Sequence, residues 1–143
     1  MSLKHRMIFI VDDDDDDCSM LWQAFQKHHP GCLLFGFSDG QELLDHLTNY
    51  YDVPDLIILD LNMPVMDGVT TLKRLKRSSR FSAIPTVLLS SSFETNDNLR
   101  IHELGPGALR FKPTSYNELV QLTNQLYPAE TVPGFTTSLP ATG

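Results

Sequence analysis

The sequence predicts an α/β fold, a doubly wound five-stranded parallel sheet with helices on both faces. Short apolar runs alternate with helical apolar stripes five times along the 143 residues. The runs are apolar at successive positions, as expected of parallel strands buried between two layers of helices. Right-handed crossovers between such strands give an open sandwich, and a chain of this length is expected to form one domain.

Two strand–helix pairs are predicted in the first part of the chain. Residues 7–11 are a continuous apolar run rich in β-forming residues, so they predict a buried strand. The next helix is predicted from side chains that fall on one face, namely Met20, Leu21, Ala24, Phe25 and His28. Residues 32–37 predict the second strand. Ser38-Asp39 can cap the following helix, whose apolar side carries Leu43, Leu44 and Leu47.

The third and fourth pairs follow the same pattern. Residues 56–59 predict a strand that is apolar on both faces, and Asn62-Met63-Pro64 stops it. The next helix carries an apolar stripe of Val69, Leu72 and Leu75. Pro85 introduces a strand over 86–89, and residues 96–104 predict a short polar helix.

A weaker fifth strand is predicted over 108–111, after the Gly-Pro-Gly break at 105–107. Thr114 or Ser115 can cap the last helix, which carries Leu119, Leu122 and Leu126. The domain is therefore expected to span 6–127. Residues 128–143 are rich in Pro and Thr without a helical period, which is typical of a tail.

The acidity of the chain is concentrated in one place. There are 18 acidic and 11 basic residues, giving a net charge of −7, but residues 12–17 are six consecutive aspartates. No strongly basic stripe predicts nucleic-acid binding, and the apolar runs are too short to cross a membrane. Cys18 and Cys32 do not form a C-x-x-C pair, so we interpret them as reduced thiols in a cytoplasmic protein.

Polar residues follow four of the predicted strands. They are Asp12 and Asp13 after the first, Asp60 and Asn62 after the third, Ser90 after the fourth and Lys112 after the fifth. Each alone has an ordinary explanation as a cap, a turn residue or a solvated side chain. Because ligands bind at the carboxyl ends of strands in doubly wound sheets, their joint placement predicts a site there. Carboxylates suit Mg²⁺, and a lysine supplies positive charge for a phosphoryl group.

Four segments, in their order and spacing, carry a family resemblance. They are Ile8–Asp13, Leu56–Gly68, Ile84–Ser90 and Phe111–Pro113. Together they resemble the receiver domain of two-component response regulators, and the stretch Asp60-Leu-Asn-Met-Pro-x-Met-Asp-Gly is highly specific. The similarity covers about residues 6–127. It implies a flavodoxin-like (βα)5 three-layer sandwich.

The resemblance also implies roles for the site residues. Asp60 is the expected phosphoacceptor, and Asp12 and Asp13 the expected acidic pair for Mg²⁺. Asn62 is expected to offer a backbone carbonyl to the metal, while Ser90 and Lys112 contact the phosphoryl group. The protein would then be a signalling phosphoacceptor that promotes only its own phosphorylation and dephosphorylation, with Asn62 and Ser92 tuning the latter.

One position departs from the family pattern. Receivers usually carry Tyr or Phe three residues before the lysine, but this position is Leu109, so the usual aromatic switch is absent. By this resemblance, Ser90 and Leu109 are the expected switch positions in this chain. Phe111 lies on the same strand face as Leu109 by alternation, and we expect it to pack in the core.

The resemblance implies partners of two kinds. A histidine kinase or a histidine phosphotransfer protein would supply the phosphoryl group. A downstream protein would bind the face formed by the fourth helix, fifth strand and fifth helix of the expected fold, which can also support a homodimer. Since the tail is too short for an output domain, a stand-alone receiver is expected, with no direct contact to nucleic acid or membrane.

Three alternatives remain beside this interpretation. A degenerate receiver would serve as an interaction platform without being phosphorylated. A phosphatase of the haloacid-dehalogenase type would use D-x-D after the first strand and a cap, whereas here the nucleophile candidate follows the third strand, position 62 is Asn and a cap-sized insertion is absent. A calcium loop beginning at Asp12 would need Gly at 17 and Glu at 23, where the chain has Asp17 and Gln23.

Overall fold

Strands and helices alternate along the chain as its apolar periodicity predicts. The computed structural model describes residues 6–63, 65–91 and 109–126. The elements are β1 (Arg6–Val11), α1 (Asp15–His28), β2 (Cys32–Phe37), α2 (Gly40–Asn49), β3 (Leu56–Asp60), α3 (Gly68–Arg77), β4 (Thr86–Ser90), β5 (Leu109–Phe111) and α4 (Tyr116–Leu126). The helix predicted over 96–104, the break at 105–107, Ser92 and the tail 128–143 lie outside the described residues.

All five strands lie in one parallel sheet, in the order β2-β1-β3-β4-β5. The predicted doubly wound α/β fold is therefore confirmed. From β1 the chain moves to β2 at one edge of the sheet, and from β3 it moves through β4 to β5 at the other edge. The direction reverses between β1 and β3, which is the switch point where such sheets bind ligands.

Alternate residues of β1 enter two separate apolar layers. Ile8 and Ile10 pack with apolar residues of α1 and α4 on one side of the sheet. Phe9 and Val11 pack with apolar residues of α2 and α3 on the other side. Because a shift of one residue would exchange the two faces, this burial fixes the register of the strands and the positions of their carboxyl ends.

Side-chain caps begin each helix of the described residues. Asp14, Asp39 and Asp67 accept backbone N–H groups at the starts of α1, α2 and α3, at distances of 2.8–3.0 Å. Of the two predicted caps for α4, Ser115 accepts the Glu118 N–H at 3.1 Å. Within the described ranges, each helix falls short of the length and apolarity that a membrane span requires.

Three residues assigned to apolar faces from the sequence are exposed. On α1 the buried stripe is Leu21, Ala24 and Phe25, so Met20 lies on its flank at 51% exposure and His28 is also exposed. The expectation that Phe111 packs in the core is wrong, since 57% of it is exposed. Phe111 is the last residue of the edge strand β5 and pairs with Ser90 at the rim of the sheet.

Candidate functional site

The carboxyl ends of three neighbouring strands carry buried polar side chains at one edge of the sheet. Asp12 directly follows β1, Asp60 ends β3 and Ser90 ends β4. All three are buried, with exposures of 8%, 5% and 0%. The backbone N–H groups of Asp12 and Leu61 donate to carbonyls of the adjacent strands at 3.0 and 2.9 Å. The two buried carboxylates are therefore held on fixed backbone at the switch point.

Three carboxylates converge at this point. Asp12, Asp13 and Asp60 each offer an oxygen, and these atoms all lie within 4.8 Å of one another. Asp13 is exposed, so one side of the cluster opens to solvent. Carboxylate oxygens at this spacing, two of them buried, fit a small divalent cation such as Mg²⁺ that keeps several waters.

Burial and mutual repulsion disfavour the ionised carboxylates. Burial, together with the charge of Asp12, raises the pKa of Asp60 to about 6, against the opposing effects of Lys112 and the Asn62 backbone N–H. Burial also raises the pKa of Asp12, although the Asp14 N–H and Lys112 oppose it. A divalent cation would offset the repulsion, which is a second reason that the cluster fits a metal.

Lys112 crosses the site from the end of β5. Its backbone N–H donates to the Ser90 carbonyl at 2.8 Å, which fixes the start of the side chain. The Nζ atom lies 3.3 Å from Asp12 Oδ2 and 3.3 Å from Asp60 Oδ1. Partial burial opposes its charge, but the surrounding carboxylates outweigh this effect and raise the pKa of Lys112, which therefore stays protonated.

One residue at the site was not among those predicted from the sequence. Asp17 Oδ2 lies 3.0 Å from Lys112 Nζ, although the sequence shows this residue only as the last of six consecutive aspartates. Asp17 is in the first turn of α1, three residues after the capping residue Asp14, and no spacing in the sequence signals its contact with Lys112. The contact itself joins residues 95 apart in the chain.

The loop after β3 carries Asp60 on constrained backbone. The Gly68 N–H donates to the Leu61 carbonyl at 2.9 Å and closes the loop against the strand. A Cβ at Gly68 would lie 2.5 Å from the Asp60 carbonyl oxygen. Val65 has a positive φ of 68°, a conformation that a β-branched residue rarely adopts. Backbone strain of this kind concentrates at functional sites.

The remaining predicted residues are placed as follows. Asn62 is exposed, and its backbone N–H is hydrogen-bonded to the Asp60 carboxylate. Ser90 is fully buried beside the site, one strand from Asp60. Leu109, a predicted switch residue, is partly buried against the α2–α3 apolar layer. The structure thus brings Asp12, Asp13, Asp60 and Lys112 together, while the roles of all the predicted site residues stay predictions.

Comparisons with known proteins point to one family. A family model described as the response regulator receiver domain matches residues 8–124. The chain is 27% identical to the probable methanogenesis regulatory protein FilR2 of Methanothrix harundinacea, covering 84% of this chain and 80% of that protein. It is 30% identical to the response regulator Rre1 of a Synechocystis strain over 80% of this chain, but spans only 48% of Rre1. The phosphorylated cyanobacterial phytochrome response regulator RcpA superposes with a TM-score of 0.81 and 26% identity, covering 90% of this chain and 96% of RcpA.

Proposed function

The chain belongs to the response regulator receiver domain family, and from this premise we propose that it accepts a phosphoryl group on Asp60. The observation that carries the proposal is a buried carboxylate at the switch point, with Lys112 Nζ 3.3 Å from its oxygen and two further carboxylates beside it. The structurally similar response regulator RcpA is phosphorylated, which supports a phosphorylated form of this chain.

The expected reaction is a displacement at phosphorus. An oxygen of Asp60 forms a bond to the phosphorus of a phosphohistidine, the P–N bond breaks, and the imidazole leaves and is protonated from solvent. Charge spreads over the three equatorial oxygens of the transferring group, so positioning and electrostatic stabilisation supply most of the catalysis. Water later hydrolyses the acyl phosphate, which releases phosphate and restores the Asp60 carboxylate.

Each residue of the site has a physical role in this proposal. Asp12, Asp13 and Asp60 would hold Mg²⁺, with the backbone carbonyl of Asn62 as a further ligand. When bound, the metal supplies positive charge that neutralises the carboxylates and the phosphoryl oxygens. Lys112 places its ammonium beside Asp60, and the Ser90 hydroxyl is the expected donor to a phosphoryl oxygen.

The partners follow from the same chemistry. A histidine kinase or a histidine phosphotransfer protein is the expected phosphodonor. The phosphorylated form is expected to signal through protein contacts on the face that includes β5 and α4, with Ser90 and Leu109 at the switch positions. A shift between two populated conformations is the expected means, since the phosphoryl group can favour only a state that it binds better.

The proposal is tested by intact-mass spectrometry after incubation with Mg²⁺ and acetyl phosphate. We expect the addition of one phosphoryl group to the wild-type chain. Asp60→Asn and wild type in EDTA should both stay unmodified. Asp52→Asn is a matched control, because it removes one exposed carboxylate outside the site and should be phosphorylated like wild type.

Other results would separate the alternatives. Wild-type protein that stays unmodified, under conditions that label a known receiver, would favour a degenerate receiver that serves as an interaction platform. Hydrolysis of many molecules of a separate phosphorylated substrate by each protein molecule would favour a phosphatase. Labelling that persists in Asp60→Asn would show that another residue is the acceptor.

A further inference from the structure

Lys112 has a third carboxylate partner that does not belong to the metal-binding cluster. Its Nζ atom lies 3.3 Å from Asp12, 3.3 Å from Asp60 and 3.0 Å from Asp17. Asp12 and Asp60 are members of the three-carboxylate cluster, whereas Asp17 is not. The ammonium is therefore shared between α1 and the two buried carboxylates, and its shortest ion pair is the one with Asp17 on α1.

The position of Asp17 is fixed by the start of α1. Asp14 caps the helix and accepts the Asp17 backbone N–H at 3.0 Å. Leu21, Ala24 and Phe25 bury the apolar side of the same helix. The Asp17 side chain is 47% exposed and that of Lys112 is 19% exposed, so the pair lies at the rim of the site. The helix start thus fixes the backbone of Asp17, and its carboxylate contacts Lys112 while the ammonium stays in the site.

Asp17 is expected to affect the loaded site in three ways. A divalent cation bound by Asp12, Asp13 and Asp60 would compete for their oxygens and repel the ammonium, leaving Asp17 as its remaining carboxylate partner. Once Asp60 carries a phosphoryl group, Asp17 and the phosphoryl oxygens compete for the same three N–H donors. The negative charge of Asp17 also offsets part of the positive field that Lys112 exerts on the phosphoryl group.

We propose that Asp17 is a positioning residue for Lys112. Asp17 holds the Lys112 ammonium toward α1 and so lowers the affinity of the site for the phosphoryl group. This inference rests on the proposed function, because it concerns the phosphoryl group on Asp60. It assigns to one residue of the aspartate run a task separate from metal binding and from capping the helix. A receiver with this ion pair holds its phosphoryl group less tightly than the same site without it.

The test compares the affinity of variants for beryllofluoride, a stable mimic of the phosphoryl group. Titrations followed by fluorine NMR are run at a Mg²⁺ concentration that saturates each variant. Asp17→Asn should bind beryllofluoride about two- to fivefold more tightly than the control, since the loss of a partly exposed ion pair changes a dissociation constant by a factor of about this size. Asp16→Asn is the matched control, because it removes the same charge from the same helical turn. Asp16 is exposed, and Lys112 is paired with Asp12, Asp17 and Asp60.

A conservative variant completes the test. Asp17→Glu keeps the carboxylate and should restore an affinity close to that of wild type. Equal affinities of Asp17→Asn and Asp16→Asn would overturn the role of Asp17, as would an Asp17→Glu variant that binds as tightly as Asp17→Asn. Failure of wild type itself to bind beryllofluoride in Mg²⁺ would instead overturn the proposed function, and this inference with it.

Discussion

Asp60 is a carboxylate in a place where the fold disfavours its charge. It is 5% exposed at the end of a buried strand, and Asp12 lies beside it. Burial and this neighbour raise the pKa of Asp60 to about 6, in spite of Lys112. The ionised nucleophile that the proposed reaction needs is therefore favoured by a bound cation, which couples the reactivity of Asp60 to metal binding.

Replacing this carboxylate should stabilise the metal-free protein. The pKa of Asp60 rises on folding from 3.8 to about 6, so the folded state binds the proton more tightly than the unfolded state. Stability is consequently lost as the pH rises from about 4 to about 6. In EDTA at pH 7, Asp60→Asn should raise the free energy of unfolding by about 1–3 kcal/mol.

Urea denaturation at pH 7 and at pH 4 would measure this difference. The gain in Asp60→Asn should shrink toward zero at pH 4, where Asp60 is protonated in the folded state. Asp52→Asn serves as control for the change of net charge, because Asp52 is exposed outside the cluster. An Asp60→Asn protein less stable than wild type at pH 7 without metal would contradict the account.

At the scale of elements, the connection from β3 to α3 sets the position of the acceptor. Gly68 opens α3, and its N–H is bonded to Leu61 immediately after the strand. A side chain at position 68 would approach the Asp60 carbonyl oxygen to 2.5 Å and Leu61 Cα to 2.8 Å. Both neighbours are backbone atoms of the buried strand end, so they cannot move aside without shifting Asp60.

Gly68→Ala should therefore destabilise the protein by about 1–3 kcal/mol, the usual range for overpacking, and should reduce phosphorylation. Thermal unfolding and intact-mass labelling measure the two effects. Gly36→Ala is the control within β2, because its Cβ would meet Cys18 Sγ at 3.4 Å and Trp22 at 3.5 Å, which are ordinary contacts with side chains. Gly68→Ala that is as stable as Gly36→Ala would show that the loop is not constrained as described.

Periodicity predicted the elements better than it predicted contacts between side chains. Each described strand was found from its apolar run, because burial on both faces leaves a clear signal. Asp60 and Lys112 were found because strand ends in this fold meet at one edge. The Asp17–Lys112 pair joins residues 95 apart through side-chain geometry, which no local pattern encodes. The exposure of Phe111 depends on an edge position that alternation alone does not reveal.

At the scale of the whole molecule, six of the 18 acidic residues lie together at one end of the sheet. Asp12 and Asp13 contribute to the cluster, Asp14 caps α1, and Asp15 and Asp16 lie in its first turn. The acidity therefore combines a metal pocket with the start of a helix, where carboxylates are favoured by the helix dipole. A cation that binds the folded cluster should stabilise the whole fold.

Mg²⁺ should accordingly raise the melting temperature. A concentration ten times the dissociation constant adds about 1.4 kcal/mol to the free energy of unfolding, or about 3–5 °C for a domain of this size. Asp13→Asn should lose most of this gain while keeping its stability in EDTA, since Asp13 is exposed. Differential scanning calorimetry with ionic strength held constant measures both proteins. An equal shift in wild type and Asp13→Asn would argue against the proposed metal site.

The central claim is that the phosphoryl group is carried by Asp60, and locating the modified residue tests it most directly. The chain is phosphorylated with acetyl phosphate and Mg²⁺, reduced with borohydride, which converts an aspartyl phosphate to homoserine, and mapped by peptide mass spectrometry. Phosphorylation of Asp60 predicts homoserine at position 60, with none at positions 12, 13 or 17. Homoserine at another aspartate, with Asp60 unchanged, would contradict it.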